Sequence, residues 1–235
     1  MSVTNAEIKM IRSLAVKKYR EESGLFVVEG EKMVAEALSS GLEVLKVVRA
    51  EEVGTETMAR ISSLNSPSPV LAVLKRPAAE KFAVPSGGLC LGLDAVRDPG
   101  NLGTILRIAD WFGVSAVYAS SDTVEAYNPK VIQASMGSIF RTKIVYCDIS
   151  EVCDAFKKAG RQVFGTFLEG RDIYGTDLPA DALVIMGNEA NGISEETAGR
   201  VTARLTIPSF GKSGAESLNV AVATAITLSE FRRRQ

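Results

Sequence analysis

Six short apolar runs recur through the second part of the chain, all but one followed by a segment of helical periodicity, and this alternation constrains the fold more than any other feature. The runs are LCLGLD (89–94), AVYAS (116–120), KIVYC (143–147), QVFGTF (162–167), LVIMG (183–187) and RLTIP (204–208). The spacing predicts helices over 101–112, 129–137, 151–159, 194–200 and 217–232. Strands this short and apolar bury both faces, and strands alternating with helices read as a parallel sheet covered on each side. Such sheets take their ligands beyond the carboxyl ends of the strands. The loops that follow the runs are therefore the first place to look for chemistry.

The first part of the chain is less regular. Residues 6–22 read as one basic amphipathic helix, with Ile8, Ile11, Leu14 and Ala15 at helical spacing and Gly24 as its stop. Strands follow over 26–30, 44–50 and 69–74, with helices over 31–38 and 56–64 between them. The segment RPAAEKFAVPSGG (76–88) holds two prolines and a glycine pair and reads as a connection. The expected division is a first α/β unit over 1–80, a linker over 81–88 and a second unit over 89–235. The longest nearly apolar run, LNVAVATAITL (218–228), is too short to span a bilayer, and MSVTNAEIKM lacks a signal-peptide core. A membrane partner is not expected, and a cytoplasmic location is.

The chain has no histidine, which removes the commonest metal ligand and the usual general base near neutral pH. Its three cysteines, Cys90, Cys147 and Cys153, have no CxxC spacing, so reduced structural thiols are expected and no metal site. Chemistry is left to Arg, Lys, Glu, Asp, Ser and Asn, or to an organic cofactor. The formal net charge of −1 is nearly neutral, yet residues 1–20 hold Lys9, Arg12, Lys17, Lys18 and Arg20 against Glu7 alone, and the chain ends FRRRQ. A local basic patch is enough for nucleic-acid contact, although a solvated helix face gives the same pattern.

Three loops after strands carry more polar residues than turning the chain requires: RDPGNLGTILR (97–107), MGNEANGIS (186–194) and IPSFGKSGAESLNVAVATAI (207–226). Each residue has a structural alternative. Asn101 suits a helix cap, Arg107 an i,i+3 pair with Asp110, Asn188 and Gly192 turn positions at positive φ, and Ser217 a cap for the last helix. Structural roles do not explain why polar residues gather at one sheet edge three times. GxGxxG and GxxxxGK[ST] are both absent, so neither a dinucleotide fingerprint nor a phosphate loop applies. A GxSxG elbow would lack its histidine.

In order and spacing these loops resemble the three motifs of the SpoU/TrmH family of RNA ribose 2'-O-methyltransferases, within the SPOUT superfamily. KVIQASMGSIFR (130–141) is also similar, and KKYREESGLFVVEGEKMVAEAL (17–38) looks like the family's N-terminal substrate-binding domain, related to the L30e-like RNA-binding folds. The resemblance implies a small L30e-like α/β domain followed by an α/β parallel-sheet domain with a C-terminal trefoil knot. It also implies S-adenosylmethionine as cofactor without a metal, RNA as substrate (ribosomal before transfer RNA), and a homodimer whose protomers complete each other's sites.

Carried over by motif, Asn101, Arg107, Glu189, Ser217 and Asn219 are the expected catalytic set. Thr166, Gly187, Asn188, Ile207 and Leu218 are expected at the methyl donor, and Lys17, Lys18, Arg20 and Arg141 at RNA. On this assignment Arg107 stabilises the developing alkoxide, Asn101 orients Arg107 or the ribose, and Glu189 fixes Arg107 or shapes its loop. The second motif has Ala190 where glycine is frequent in the family. Two alternatives stay open at this point: a non-catalytic RNA-binding protein, and an enzyme of the same superfamily acting on a base nitrogen.

Overall fold

The structure is a computed structural model in which residues 3–211 and 216–233 are described. Residues 212–215 of the third motif and the last two residues of the basic C-terminus lie outside the described residues.

The chain begins with α1 (Asn5–Ser13) and α2 (Lys17–Ser23) rather than the single predicted helix. Thr4 and Glu7 form a reciprocal capping box that starts α1. The break falls at Leu14, whose side chain is 1% exposed. Driving that residue into the core turns the chain, and Val16 re-enters helix from an extended conformation (φ −99°, ψ 131°). Gly24 then ends α2 in the left-handed region at φ 67°.

Strands β1 (Leu25–Glu29), β2 (Val44–Arg49) and β3 (Val70–Lys75) pair antiparallel in the order β1-β3-β2. Helices α3 (Glu31–Ser39), α4 (Ala50–Val53) and α5 (Thr55–Ile61) connect them. Central strand β3 shows why the sheet is covered twice. Its Val70, Ala72 and Leu74 join the cluster of Phe26, Val28 and Val34, while Leu71 and Val73 join Ile8, Ile11 and Met58 on the other face.

The second sheet holds β4 (Cys90–Leu93), β5 (Ala116–Ala119), β6 (Ile144–Tyr146), β7 (Gln162–Asp172), β8 (Ala182–Met186) and β9 (Ala203–Thr206). Every adjacent pair is parallel, in the order β6-β5-β4-β8-β7-β9. Helices α6 (Pro99–Trp111), α7 (Pro129–Ser135), α8 (Ile149–Lys158), α9 (Glu195–Ala198) and α10 (Val220–Arg233) follow the strands except β7, which leads directly to β8, and a 3-10 turn (Ser138–Phe140) follows α7. One face packs Leu91, Leu93, Leu102, Val117 and Phe231 together, the other Cys90, Tyr118, Phe156 and Ile185. The parallel, doubly covered sheet expected from the alternation is thus present, in an α/β fold. Among the described residues no helix is long and apolar enough to cross a membrane.

Several boundaries differ from the sequence pattern. Strand β7 continues past Phe167 to Asp172, because it pairs with Leu205 at Thr166, bulges, and pairs with Leu205 again at Arg171. Helix α10 starts at Val220 rather than Ser217. The segment between β3 and β4 has no regular element, yet it is tied down: Phe82 and Val84 pack on the second sheet's core, and Tyr118 Oη donates to the Ala83 carbonyl at 2.8 Å.

Helices α6 and α7 approach closely at Gly103. A Cβ there would lie 2.5 Å from Ala134 Cβ and 2.6 Å from the Val131 carbonyl oxygen. Gly103→Ala therefore forces two buried helices apart. Overpacking of this kind costs about 1–3 kcal/mol, and thermal unfolding should show it as a fall in Tm of several degrees. An unchanged Tm would mean that the α6–α7 contact yields freely.

Candidate active site

The strand order reverses between β4 and β8, which are adjacent and parallel, with Leu93 opposite Met186. The loops leaving their carboxyl ends must therefore emerge side by side, at the place where open α/β sheets bind ligands. These are the first two motif loops.

Asp98 begins α6 as its N-cap, accepting from Asn101 N at 2.8 Å, with Pro99 in the first turn. Capping is thus the work of Asp98, which frees the Asn101 side chain. Its Nδ2 donates to Glu189 Oε1 at 2.9 Å, and its Oδ1 accepts from Asn219 Nδ2 at 2.9 Å. One residue from each motif joins in a single chain, Glu189–Asn101–Asn219. The amide of Asn101 can serve both neighbours only because it presents a donor to the carboxylate and an acceptor to the other amide.

The second loop is built around Asn188. Its Nδ2 donates to the Ala95 carbonyl at 2.7 Å, and its Oδ1 accepts from Ala190 N at 2.9 Å and Asn191 N at 3.1 Å. Ala95 sits at φ 59°, a left-handed conformation uncommon for a residue with a Cβ. Gly192 takes the positive φ of the loop (69°), whereas Asn188 does not. Nearby, Asp94 Oδ2 accepts from Ser194 N and Oγ at 2.9 and 2.8 Å. Gly187 is packed so tightly that a Cβ would come within 2.3 Å of the Gly192 carbonyl carbon. Ala190 is exposed, so the loop has room for it.

The third loop starts α10, with Asn219 Oδ1 accepting from Ala221 N at 2.9 Å and Val222 N at 3.3 Å. Asn219, not Ser217, is therefore the helix cap. Ser217 and Leu218 instead line a cavity of about 510 Å³, together with Thr166 and Ile207. Phe167, Pro208 and Glu216 are among the further residues of its wall and were not singled out in the sequence. Phe167 was hidden by its strand pattern, although it follows Thr166 directly. Thr166 Oγ1 donates to the Ile185 carbonyl at 3.1 Å, tying this wall to β8. Gly187 and Asn188 do not line the cavity; they hold the loop beside it.

Arg107 stands two turns along α6, exposed, and has no hydrogen bond or ion pair among the described residues. The expected pair with Asp110 is absent because Ser138 Oγ and Arg141 occupy that carboxylate at 2.8 and 2.9 Å. Nor do Asn101 or Glu189 hold Arg107; they hold each other. Burial pushes the thiols of Cys90 and Cys147 up to about 11 and that of Cys153 up to about 12, which rules them out as nucleophiles near neutral pH.

The residues expected at RNA separate into two groups. Lys17 and Lys18 are exposed and pair loosely with Glu21 and Glu22 at 3.6 and 3.8 Å. Arg20 is 1% exposed and spends its guanidinium on Glu125 and the Leu14 carbonyl. Arg141 is held by Glu36 and Asp110. Arg20 is therefore a structural cation, and the sequence expectation is corrected for it; Arg141, although paired, is exposed.

Asn188→Ala removes bonds that pin a loop in a half-buried place, and should cost about 1–3 kcal/mol. Asn101→Ala acts nearer the surface and should cost less than about 1 kcal/mol. Urea unfolding of both variants checks the order. A larger loss for Asn101→Ala would mean that Asn188 is not the loop's support.

Known proteins resemble this chain in sequence and fold. The SpoU rRNA Methylase family matches residues 88–229, and an MRM3-like substrate binding domain matches residues 5–76. The chain is 32% identical to the 23S rRNA (guanosine(2553)-2'-O)-methyltransferase RlmP of Bacillus subtilis, with 98% of each chain covered. Among solved structures, a putative RNA methyltransferase of the TrmH family from Porphyromonas gingivalis superposes with a TM-score of 0.90 at 40% identity, over 99% of both chains. The AdoMet-bound rRNA methyltransferase from Sinorhizobium meliloti superposes at 0.89 and 32% identity, over 100% of this chain and 98% of that one. With its three motif loops joined at one sheet edge and both parts of its length matched, the chain belongs to the SpoU rRNA methylase family.

Proposed function

We propose that this protein methylates a ribose 2'-hydroxyl of ribosomal RNA, with S-adenosylmethionine as donor. The observation that carries the reading is the Glu189–Asn101–Asn219 chain beside the cavity, since Asn219 directly follows Leu218 of the cavity wall. Ribosomal RNA is favoured because the Bacillus subtilis and Sinorhizobium meliloti proteins named above are rRNA methyltransferases.

The cavity fits the donor. Its volume of about 510 Å³ lies within the roughly 300–1,000 Å³ common for small-molecule sites. Ile207, Leu218, Phe167 and Pro208 offer apolar surface, and Thr166 and Ser217 offer hydroxyls. Bound S-adenosylmethionine supplies an activated methyl group together with its own leaving group. The protein has then to place the 2'-oxygen, to let its proton pass to solvent as the O–CH3 bond forms and the S–CH3 bond breaks, and to stabilise the alkoxide charge that grows as the proton leaves. Arg107 suits the last of these roles, because a guanidinium near a developing oxyanion is an effective electrostatic catalytic device. Asn101, held from both sides, keeps the start of α6 in place, and Glu189 and Asn219 act through it. Ser217 is left to face the donor.

In the same reading, residues 1–80 bind RNA, 81–88 link, and 89–235 form the methyl-transfer domain, whose C-terminal part is threaded as a trefoil knot. A second copy completes the site. Trp111 (85% exposed) and Val222 (48%) leave apolar surface on α6 and α10, the helices that carry Arg107 and follow Asn219, and this suits a partner there. Work on ribosomal RNA fits a cytoplasmic location.

Arg107→Ala should lower kcat by at least about 100-fold while the donor Kd stays within about twofold. Transfer of labelled methyl groups to ribosomal RNA, with calorimetry of donor binding, measures both; near-normal turnover would remove Arg107 from the chemistry. Replacing Lys17 and Lys18 together should flatten the salt dependence of RNA binding. An unchanged slope would put the RNA contact on another face.

A further inference from the structure

Arg20, Arg76 and Arg141 join the N-terminal unit to the six-stranded sheet's unit. Arg20 of α2 donates from Nη2 and Nε to Glu125 Oε2 at 2.6 and 3.1 Å, and from Nη1 to the Leu14 carbonyl at 2.7 Å. Arg76, just past β3, approaches the other oxygen of Glu125 at 3.4 Å and lies over the Tyr127 ring, 5.1 Å from its centroid. Tyr127 in turn meets Phe26 of β1, with ring centroids 4.7 Å apart. A single carboxylate in the loop before α7 is thus gripped by two arginines of the N-terminal unit. Beyond the other end of α7, Arg141 bridges Glu36 of α3 and Asp110 of α6.

Between these two clips, α7 is shared by both cores. Ile132 is buried among Phe26, Val28, Met33 and Val34 of the N-terminal unit, and its neighbour Val131 belongs to the core of the six-stranded sheet. Gly103 brings α7 against α6, the helix that carries Asn101 and Arg107. Contact therefore runs without a gap from the N-terminal sheet through α7 to the catalytic helix.

Two units joined only by a linker move relative to one another by default. Here an apolar seam and two ionic clips oppose that motion, and the Glu125 clip is largely withdrawn from solvent, where loss of one partner is most costly. We propose that Glu125 and Arg141 are positioning residues for the RNA substrate. They clip α7 between the units, so that the span from the N-terminal RNA surface to the methyl-transfer site is set before RNA arrives. A preset span spares the ordering cost of docking on two surfaces at once. This rests on the reading of the N-terminal unit as RNA-binding and of the cavity as the donor site.

The test uses the full chain, ribosomal RNA lacking the methyl group, and the variants Glu125→Gln, Arg141→Ala and Arg141→Lys. Filter binding gives the RNA Kd, calorimetry the donor Kd, and small-angle scattering the separation of the units. For Glu125→Gln the RNA Kd and KM are expected to rise at least tenfold and the radius of gyration to increase. Donor Kd should stay within twofold and kcat at saturating RNA within threefold. Arg141→Ala, at a more exposed site, should raise the RNA KM about threefold, and Arg141→Lys should restore most of it. The Arg141 pair keeps the question open to experiment if Glu125→Gln does not fold.

A parallel loss of donor binding and kcat with no change in RNA KM would make these residues merely structural and overturn the proposal. So would units that part in the scattering profile while RNA affinity is untouched. If the unaltered chain bound RNA but no donor, the methyl-transfer reading would fail by itself. The RNA Kd values of the variants would still decide whether the clips set the span.

Discussion

Strand β4 lies beside β8, parallel and in register from Cys90 opposite Leu183 to Leu93 opposite Met186, and the site depends on this pairing. It sets Asp94 next to Gly187 at the point where the strand order turns back on itself. Two loops far apart in sequence then share one edge. Everything after that is local: Asn188 reaches the Ala95 carbonyl, Asp94 holds Ser194, and Asn101 meets Glu189. Gly187 is the residue that permits the fit, because any Cβ there would collide with the backbone of Gly192. The cavity wall is attached to the same pairing, since Thr166 hydrogen-bonds to the Ile185 carbonyl of β8.

Arginine plays two opposite parts in this molecule. Arg107 is left exposed and without an internal partner among the described residues, which suits a group reserved for a substrate or a second copy. Arg20, Arg76 and Arg141 are spent on carboxylates that fasten one unit to the other. The guanidinium fork explains the choice. It offers several donors in a fixed plane, so Arg20 can satisfy a carboxylate and a backbone carbonyl together. A lysine could not make the same set of bonds.

The arrangement also explains how a chain without histidine supports group transfer. The thiols are pushed up by burial and are inert as nucleophiles. What remains at the sheet edge are amides, hydroxyls, the Arg107 guanidinium and the carboxylates of Asp94 and Glu189, and these two carboxylates are occupied in holding Ser194 and Asn101. That inventory matches a reaction in which the donor brings its own activation and leaving group.

Strand and helix alternation, the parallel sheet, the sheet edge that carries the site and the motif residues were all legible in the sequence, because apolar periodicity and turn chemistry are local properties. So was the gathering of Asn101, Glu189 and Asn219 into one neighbourhood, by resemblance. What the tertiary structure decided was which partner each polar group takes. Asp98 rather than Asn101 caps α6, Asn219 rather than Ser217 caps α10, and Asp110 is claimed by Arg141 rather than by Arg107. The basic helix of residues 6–22 counted Arg20 among its solvent-facing charges, yet Arg20 closes on Glu125, 105 residues away. Charge can be read one residue at a time, but the burial that turns a surface cation into a fastening depends on how distant segments pack, and only the folded chain brings them together.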